Sequence, residues 1–155
     1  MTTTTLYASC RVGDLMIGVD VERVQEVHAG SRLTPVPLAP PLVSGLLNLR
    51  GEIVTAIDLR RCLQQVERPP DQRPVDVIVR TPDGCVSLLA DDVGDVLTMN
   101  AADLTPPTAA LHRQFGALIA GVFALGDGRL LVLDLDRLLT ISAGEPLTTN
   151  RRIAC

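Results

Sequence analysis

Residues 45–63 read Gly-Leu-Leu-Asn-Leu-Arg-Gly-Glu-Ile-Val-Thr-Ala-Ile-Asp-Leu-Arg-Arg-Cys-Leu, and residues 121–139 read Gly-Val-Phe-Ala-Leu-Gly-Asp-Gly-Arg-Leu-Leu-Val-Leu-Asp-Leu-Asp-Arg-Leu-Leu. A gap-free shift of 76 positions lays Gly45 on Gly121, Leu49 on Leu125, Asp58 on Asp134, Leu59 on Leu135, Arg61 on Arg137 and Leu63 on Leu139. Apolar residues face apolar ones at most of the remaining positions. A second shift, of 69, lays Arg11 on Arg80, Asp14 on Asp83, Val24 on Val93, Glu26 against Asp95 and Val27 on Val96. The two shifts differ by seven residues, which must be absorbed in the connection ahead of Gly45 and Gly121. That connection is short and proline-rich in the first half (32–41) and longer in the second (100–118). Loops absorb such insertions at little cost. Two related units of about 65 residues, each small for an independent core, point to a pseudo-twofold pair sharing a seam.

The apolar segments are four to seven residues long, rich in Leu and β-branched residues, and punctuated by Gly, Asp and Pro. This rhythm predicts strands. They are expected near 6–11, 15–19, 33–36, 46–49 and 53–57 in the first half, and near 75–80, 86–90, 96–99, 119–125 and 130–133 in the second. Turn chemistry falls at Gly13-Asp14, Arg50-Gly51, Pro82-Asp83-Gly84 and Gly126-Asp127-Gly128. Five short strands per half suit a small closed barrel, so the fold class is all-β with two pseudo-symmetric subdomains. Asp58 and Asp134 each end a strand and precede a leucine-rich segment, which predicts two helix N-caps. The polar, proline-dense stretch 64–74 is the expected subdomain boundary. From residue 142 to 155 the periodicity is lost, and this segment reads as a mobile or separately packed tail.

Composition excludes several functions. With no Trp, one Tyr and two Phe there is no stacking platform for single-stranded nucleic acid. A net charge of −4, no lysine and scattered arginines leave neither a phosphate-tracking stripe nor a polybasic membrane patch. Cys10, Cys62, Cys85 and Cys155 lack metal-site spacing and read as reduced thiols. The threonine-rich start carries neither a charged leader nor a membrane-length apolar run, so a cytoplasmic protein is expected.

Catalytic candidates are sparse. Asp91 and Asp92 are adjacent carboxylates, but neighbours in an extended segment point to opposite faces, and a turn or surface role is expected for them. His28 and His112 have no Ser or Cys partner motif. Gly126-Asp127-Gly128 lacks the following context of a phosphate cradle. A rival picture, a ligand-binding or enzymatic β-barrel protein, would have to use Asp91, Asp92 and His28 around an inter-barrel cleft. A second rival is a structural adaptor of some other signalling complex.

One stretch is more specific. Asn48-Leu49-Arg50-Gly51 with Ile57-Asp58-Leu59-Arg60 closely resembles the signature of the CheW-like coupling domain of bacterial chemosensory arrays. Val24-Gln25-Glu26-Val27, Asp92-Val93-Gly94-Asp95-Val96, Ile119-Ala120-Gly121-Val122 and Leu133-Asp134-Leu135 resemble its other landmarks in order, covering about 6–139. Thr55-Ala56 stands where the family usually has a proline-containing pair, and Cys62-Leu63-Gln64 replaces the usual Phe-Gly end of the motif. The resemblance implies two five-stranded SH3-like barrels, here within a CheW-like domain over 1–141. The first barrel would span about 6–66 and the second about 74–141, with some exchange of strands or segments possible. It also implies a non-catalytic, cofactor-free, standalone adaptor that joins the regulatory domain of a CheA-type histidine kinase to the cytoplasmic tips of membrane-bound chemoreceptors. By the same resemblance, Glu26, Val27 and Arg50 belong to the receptor-binding groove or its brace, with Glu26 and Arg50 close enough to pair. Gly45, Leu47, Asn48 and Gly51 form the favoured kinase-binding edge, because small residues admit a partner's backbone. An equivalent edge near Gly121 would permit a second kinase contact and rings of alternating adaptor and kinase domains, and an exposed barrel edge would permit weak self-association in such rings.

Overall fold

A computed structural model describes residues 3–142. The strands are β1 (Thr4–Val12), β2 (Leu15–Asp20), β3 (Val24–Ala29), β4 (Val43–Leu49), β5 (Glu52–Asp58), β6 (Val75–Thr81), β7 (Gly84–Ala90), β8 (Asp92–Asn100), β9 (Ile119–Leu125) and β10 (Gly128–Leu133). Three α-helices accompany them, α1 (Leu59–Cys62), α2 (Ala109–Phe115) and α3 (Leu135–Ser142). The expectation of a mainly β protein with five strands per half holds. The tail expected over 142–155 lies, from residue 143 on, outside the described residues.

The strands form two five-stranded sheets, ordered β8-β1-β2-β10-β9 and β3-β6-β7-β5-β4. Substituting β1 for β6, β2 for β7, β3 for β8, β4 for β9 and β5 for β10 turns one order into the other. The duplication therefore appears in space as a pseudo-twofold relation. The sheets do not follow the sequential division into 6–66 and 74–141. Each takes a hairpin from one half (β1-β2 or β6-β7) and three strands from the other, so 64–74 connects two strands of one sheet. Exchange has a physical basis. A hairpin of two strands is marginal alone, whereas the seam pairs it with β10 or β5 in parallel, for example Leu131 beside Ile17 and Ile57 beside Leu88.

Edge strands are handled alike in both sheets. Thr34 exchanges backbone hydrogen bonds of 2.7 and 2.8 Å with Leu46 on β4, and Thr105 does the same with Val122 on β9 at 3.0 and 2.8 Å. Each bridge carries the chain leaving one edge strand across to the opposite edge and covers part of that edge. The close approach explains the glycines shared by the two repeats. A Cβ on Gly45 would lie 2.7 Å from the Thr34 carbonyl oxygen, and one on Gly121 would lie 2.6 Å from Leu104 Cδ1. The strand expected at 33–36 reduces to this single bridge, since Pro35 and Pro37 have no N–H to continue a ladder. Conversely, Val24–Ala29 forms β3, which the strand pattern had not marked.

Packing divides into three zones. Leu47, Val54, Ala56 and Leu89 fill one barrel, and Tyr7, Phe123, Leu130 and Val132 fill the other. The largest cluster lies between the sheets, with Val12, Ile17 and Leu131 from one and Ile57, Val77 and Leu88 from the other. The two N-caps form as expected: Asp58 Oδ1 accepts from the Arg60 N–H at 3.0 Å, and Asp134 Oδ1 from the Arg137 N–H at 3.1 Å. Helix α2 fills the longer connection of the second half. Thr108 caps it and the i, i+4 pair Leu111 and Phe115 is buried.

Candidate functional site

Strand β3 lies at the edge of its sheet, and its burial alternates residue by residue. Its even positions bring Glu26 and His28 to one face, while Val27, on the other, is 43% exposed. The β4–β5 turn reaches the same place. Arg50 and Gly51 adopt φ of 52° and 88°, the left-handed geometry of a tight two-residue hairpin turn, and Asn48 Oδ1 accepts the Gly51 N–H at 2.8 Å. The turn aims Arg50 at Glu26. Arg50 Nη1 lies 2.8 Å from Glu26 Oε2, and His28 Nε2 lies 2.6 Å from Glu26 Oε1. The pair expected between Glu26 and Arg50 is thus formed, with His28 as a third member.

The bond to His28 and then that to Arg50 hold the Glu26 carboxyl below its ordinary value, outweighing the opposing effect of burial. The Arg50 side chain remains 66% exposed, so this pair contributes little to stability and stays open to an incoming group. The result is a triad centred on Glu26 at a sheet edge, with Val27 exposed on the opposite face of the strand.

The kinase-edge candidates separate. Asn48 and Gly51 are exposed, whereas Gly45 is buried under Thr34 and Leu47 is only 4% exposed inside its barrel. The space expected at Gly45 for a partner's backbone is filled by the chain's own, so Gly45 and Leu47 act from within and leave Asn48 and Gly51 as the surface of this hairpin.

Asp91, expected at a surface turn, is instead the centre of a buried ionic cluster. Its Oδ1 and Oδ2 accept from Arg60 Nε and Nη2 at 2.8 and 2.7 Å, a bidentate pairing. Arg68 Nε donates to Oδ1 at 3.1 Å and the Gly13 N–H to Oδ2 at 2.7 Å. Arg68 also lies 3.3 Å from Asp58, and Arg60 Nη1 donates to the Val66 carbonyl at 2.8 Å. Burial pushes the Asp91 carboxyl up, but the Arg60 bonds and the Gly13 N–H outweigh it and leave it below its ordinary value. The adjacent Asp92 accepts the Val93 N–H at 2.9 Å. His28 and Asp91 belong to separate clusters, and a cleft of about 460 Å³ lined by Asp14, Leu15, Met16, Leu125, Gly128, Arg129 and Leu131 contains neither. Among the described residues, His28 and Asp91 therefore do not share one site. Cys10 and Cys62 are buried thiols pushed up to about 12 by desolvation.

A triad at a barrel edge, a hairpin built on Asn48-Leu49-Arg50-Gly51 and a doubled fold together are a distinctive combination. Residues 6–143 match the CheW-like domain. The chain belongs to the CheW-like domain family. It is similar to "Chemotaxis protein CheW" of Klebsiella aerogenes, 30% identical over 129 residues, covering 83% of this chain and 78% of that protein. "Chemotaxis protein CheW" of Rhizobium meliloti is 32% identical over 127 residues, covering 81% of each. The crystal structure of the scaffolding protein TtCheW from Thermoanaerobacter tengcongensis superposes with a TM-score of 0.80 at 23% identity, over 94% of this chain and 99% of that one. This likeness carries the CheW-like fold across nearly the whole molecule.

Proposed function

We infer that this chain is a non-catalytic adaptor of chemosensory signal transduction, coupling a CheA-type histidine kinase to the cytoplasmic tips of chemoreceptors. The observation that carries the inference is the family match over 6–143, together with relatives described as chemotaxis and scaffolding proteins. Coupling without catalysis works through differential binding: an adaptor that holds both partners lets a shift in one change the preferred state of the other. Glu26, Val27 and Arg50 are the proposed receptor contacts, and Asn48 and Gly51 the proposed kinase contacts, with Gly45 and Leu47 shaping the hairpin from beneath. Exposure supports the choice of contact residues, since Val27, Arg50, Asn48 and Gly51 reach solvent while Gly45 and Leu47 are packed. Weak self-association in rings is the expected consequence of two related barrel ends on one chain. Association with membrane-bound arrays would then come through the receptor. Among the described residues no helix is long and apolar enough to cross a membrane.

The test is a pull-down of the purified chain with the kinase regulatory domain and, separately, with a soluble receptor-tip fragment. Retention of both is expected. Failure to retain either one overturns the proposal.

A further inference from the structure

We propose that Arg32 and Arg73 form a docking cleft for a carboxylate-bearing segment of the receptor partner, at the end of β3 beyond His28. This rests on the adaptor function above and specifies the chemistry of one of its contacts. Strand β3 ends at Ala29, paired with Val75, and the chain continues through Gly30 and Ser31 to Arg32. Opposite it, Arg73 and Pro74 lead into β6. A concavity of about 340 Å³ is lined by Gly30, Ser31, Arg32, Arg73 and Pro74. Its floor is tied by the Gly30 N–H to the Pro74 carbonyl at 3.3 Å. Arg73 runs beside Gly30, where a Cβ would meet Arg73 Cδ at 3.5 Å. The nearby buried carboxylate, Asp76, is occupied by the Ser31 N–H at 3.2 Å and the Ser87 hydroxyl at 2.8 Å. Among the described residues no ion pair joins either arginine to a carboxylate.

The repeat shows that this charge is not required by the fold. The paired bridges at Thr34 and Thr105 set the local shift at 71, which places Arg32 on Asp103. The floor bond recurs there as the Ala101 N–H to the Thr3 carbonyl at 2.8 Å. One backbone arrangement therefore carries an arginine in one barrel and an aspartate in the other. In a chain of net charge −4, two exposed guanidinium groups across one cleft favour an acidic occupant, for which the planar guanidinium is suited.

Binding of the receptor-tip fragment is to be measured by calorimetry for the wild type, Arg32→Glu and Arg73→Glu, at about 0.05 and 0.3 M salt, beside thermal melts. Unchanged melts, roughly tenfold weaker binding in each variant and a reduced salt dependence are expected. Equal affinity and equal salt dependence in all three would overturn the cleft while leaving the adaptor function standing. Should the wild type fail to bind the fragment, the adaptor function falls, and a hexaglutamate titration followed by amide NMR decides the cleft alone. Shifts centred on Arg32 and Arg73 that vanish in the variants support it, and shifts elsewhere or none refute it.

Discussion

The molecule joins its two sheets twice, at places related by the internal repeat, and the two joints are built differently. At the first, Asp91 on the crossing from β7 to β8 gathers Arg60 of α1, Arg68 of the following connection and the Gly13 turn of the other sheet into one ionic cluster. The side chains of Asp91 and Arg68 are 2% and 8% exposed. At the second joint, the shift of 76 places Asp136 where Arg60 stands and the shift of 69 places Glu22 where Asp91 stands, so two carboxylates replace the ion pair, and Asp136 takes the neighbouring Arg23 instead. Arg23 and Asp136 meet at 3.3 Å in solvent, with Asp136 78% exposed. The related joints thus hold a desolvated clasp in one half and a screened surface contact, made by a different pair of positions, in the other. Sequence similarity between halves guarantees similar backbones and does not guarantee similar energetics.

The largest test of this contrast is Asp91→Ala, which strands two buried arginines. A loss of about 3–5 kcal/mol is expected, read as a lowered urea midpoint at unchanged slope. A loss no greater than that of a surface pair would erase the contrast. The pH profile sharpens it. Asp91 has its folded value lowered, so its contribution is present above the ordinary carboxylate value of about 4 and disappears as pH falls through the folded value below it. A urea midpoint followed from neutral pH downward should therefore fall in the acid range for the wild type, and less steeply for Asp91→Asn.

The paired glycines give the intermediate effect. Gly45→Ala drives a methyl against the Thr34 backbone and is expected to cost about 1–3 kcal/mol. Gly121→Ala meets chiefly the Leu104 side chain, which can turn aside, so its cost should be smaller in the same denaturation assay. Equal costs would show that both closures are equally rigid. The smallest effect belongs to the exposed joint: Asp136→Ala should cost about 0–1 kcal/mol, and added salt should abolish the difference from wild type.

Much of the architecture was legible in the chain. The shift of 76 located β4-β5 and β9-β10, and the residues after Asp58 and Asp134 turned helical as their capping chemistry required. Strand β3 was harder, because Val24-Gln25-Glu26-Val27-His28-Ala29 mixes polar and apolar residues on a half-exposed edge. The expected strand at 33–36 was misplaced because its apolar residues outweighed the prolines that interrupt pairing. Helix α2 did carry a signal, Thr108 followed by Leu111 and Phe115 at helical spacing, within a connection otherwise read as loop. Hairpin exchange left no local trace, since paired halves look alike whichever partner each strand chooses. The clasp was hidden for the same reason, as Asp91 meets arginines 31 and 23 residues away in sequence. Of the site, the Glu26–Arg50 pairing was anticipated and the joining of His28 to it was not.

The central claim is that the β3 triad is offered to a partner, while the buried clasp and the barrel cores hold the fold. Arg50→Ala, followed by its thermal melt and by receptor control of kinase autophosphorylation in a reconstituted array, tests this most directly. A melt indistinguishable from wild type with loss of receptor control is predicted. A melt that falls together with control, or control that survives intact, would contradict it.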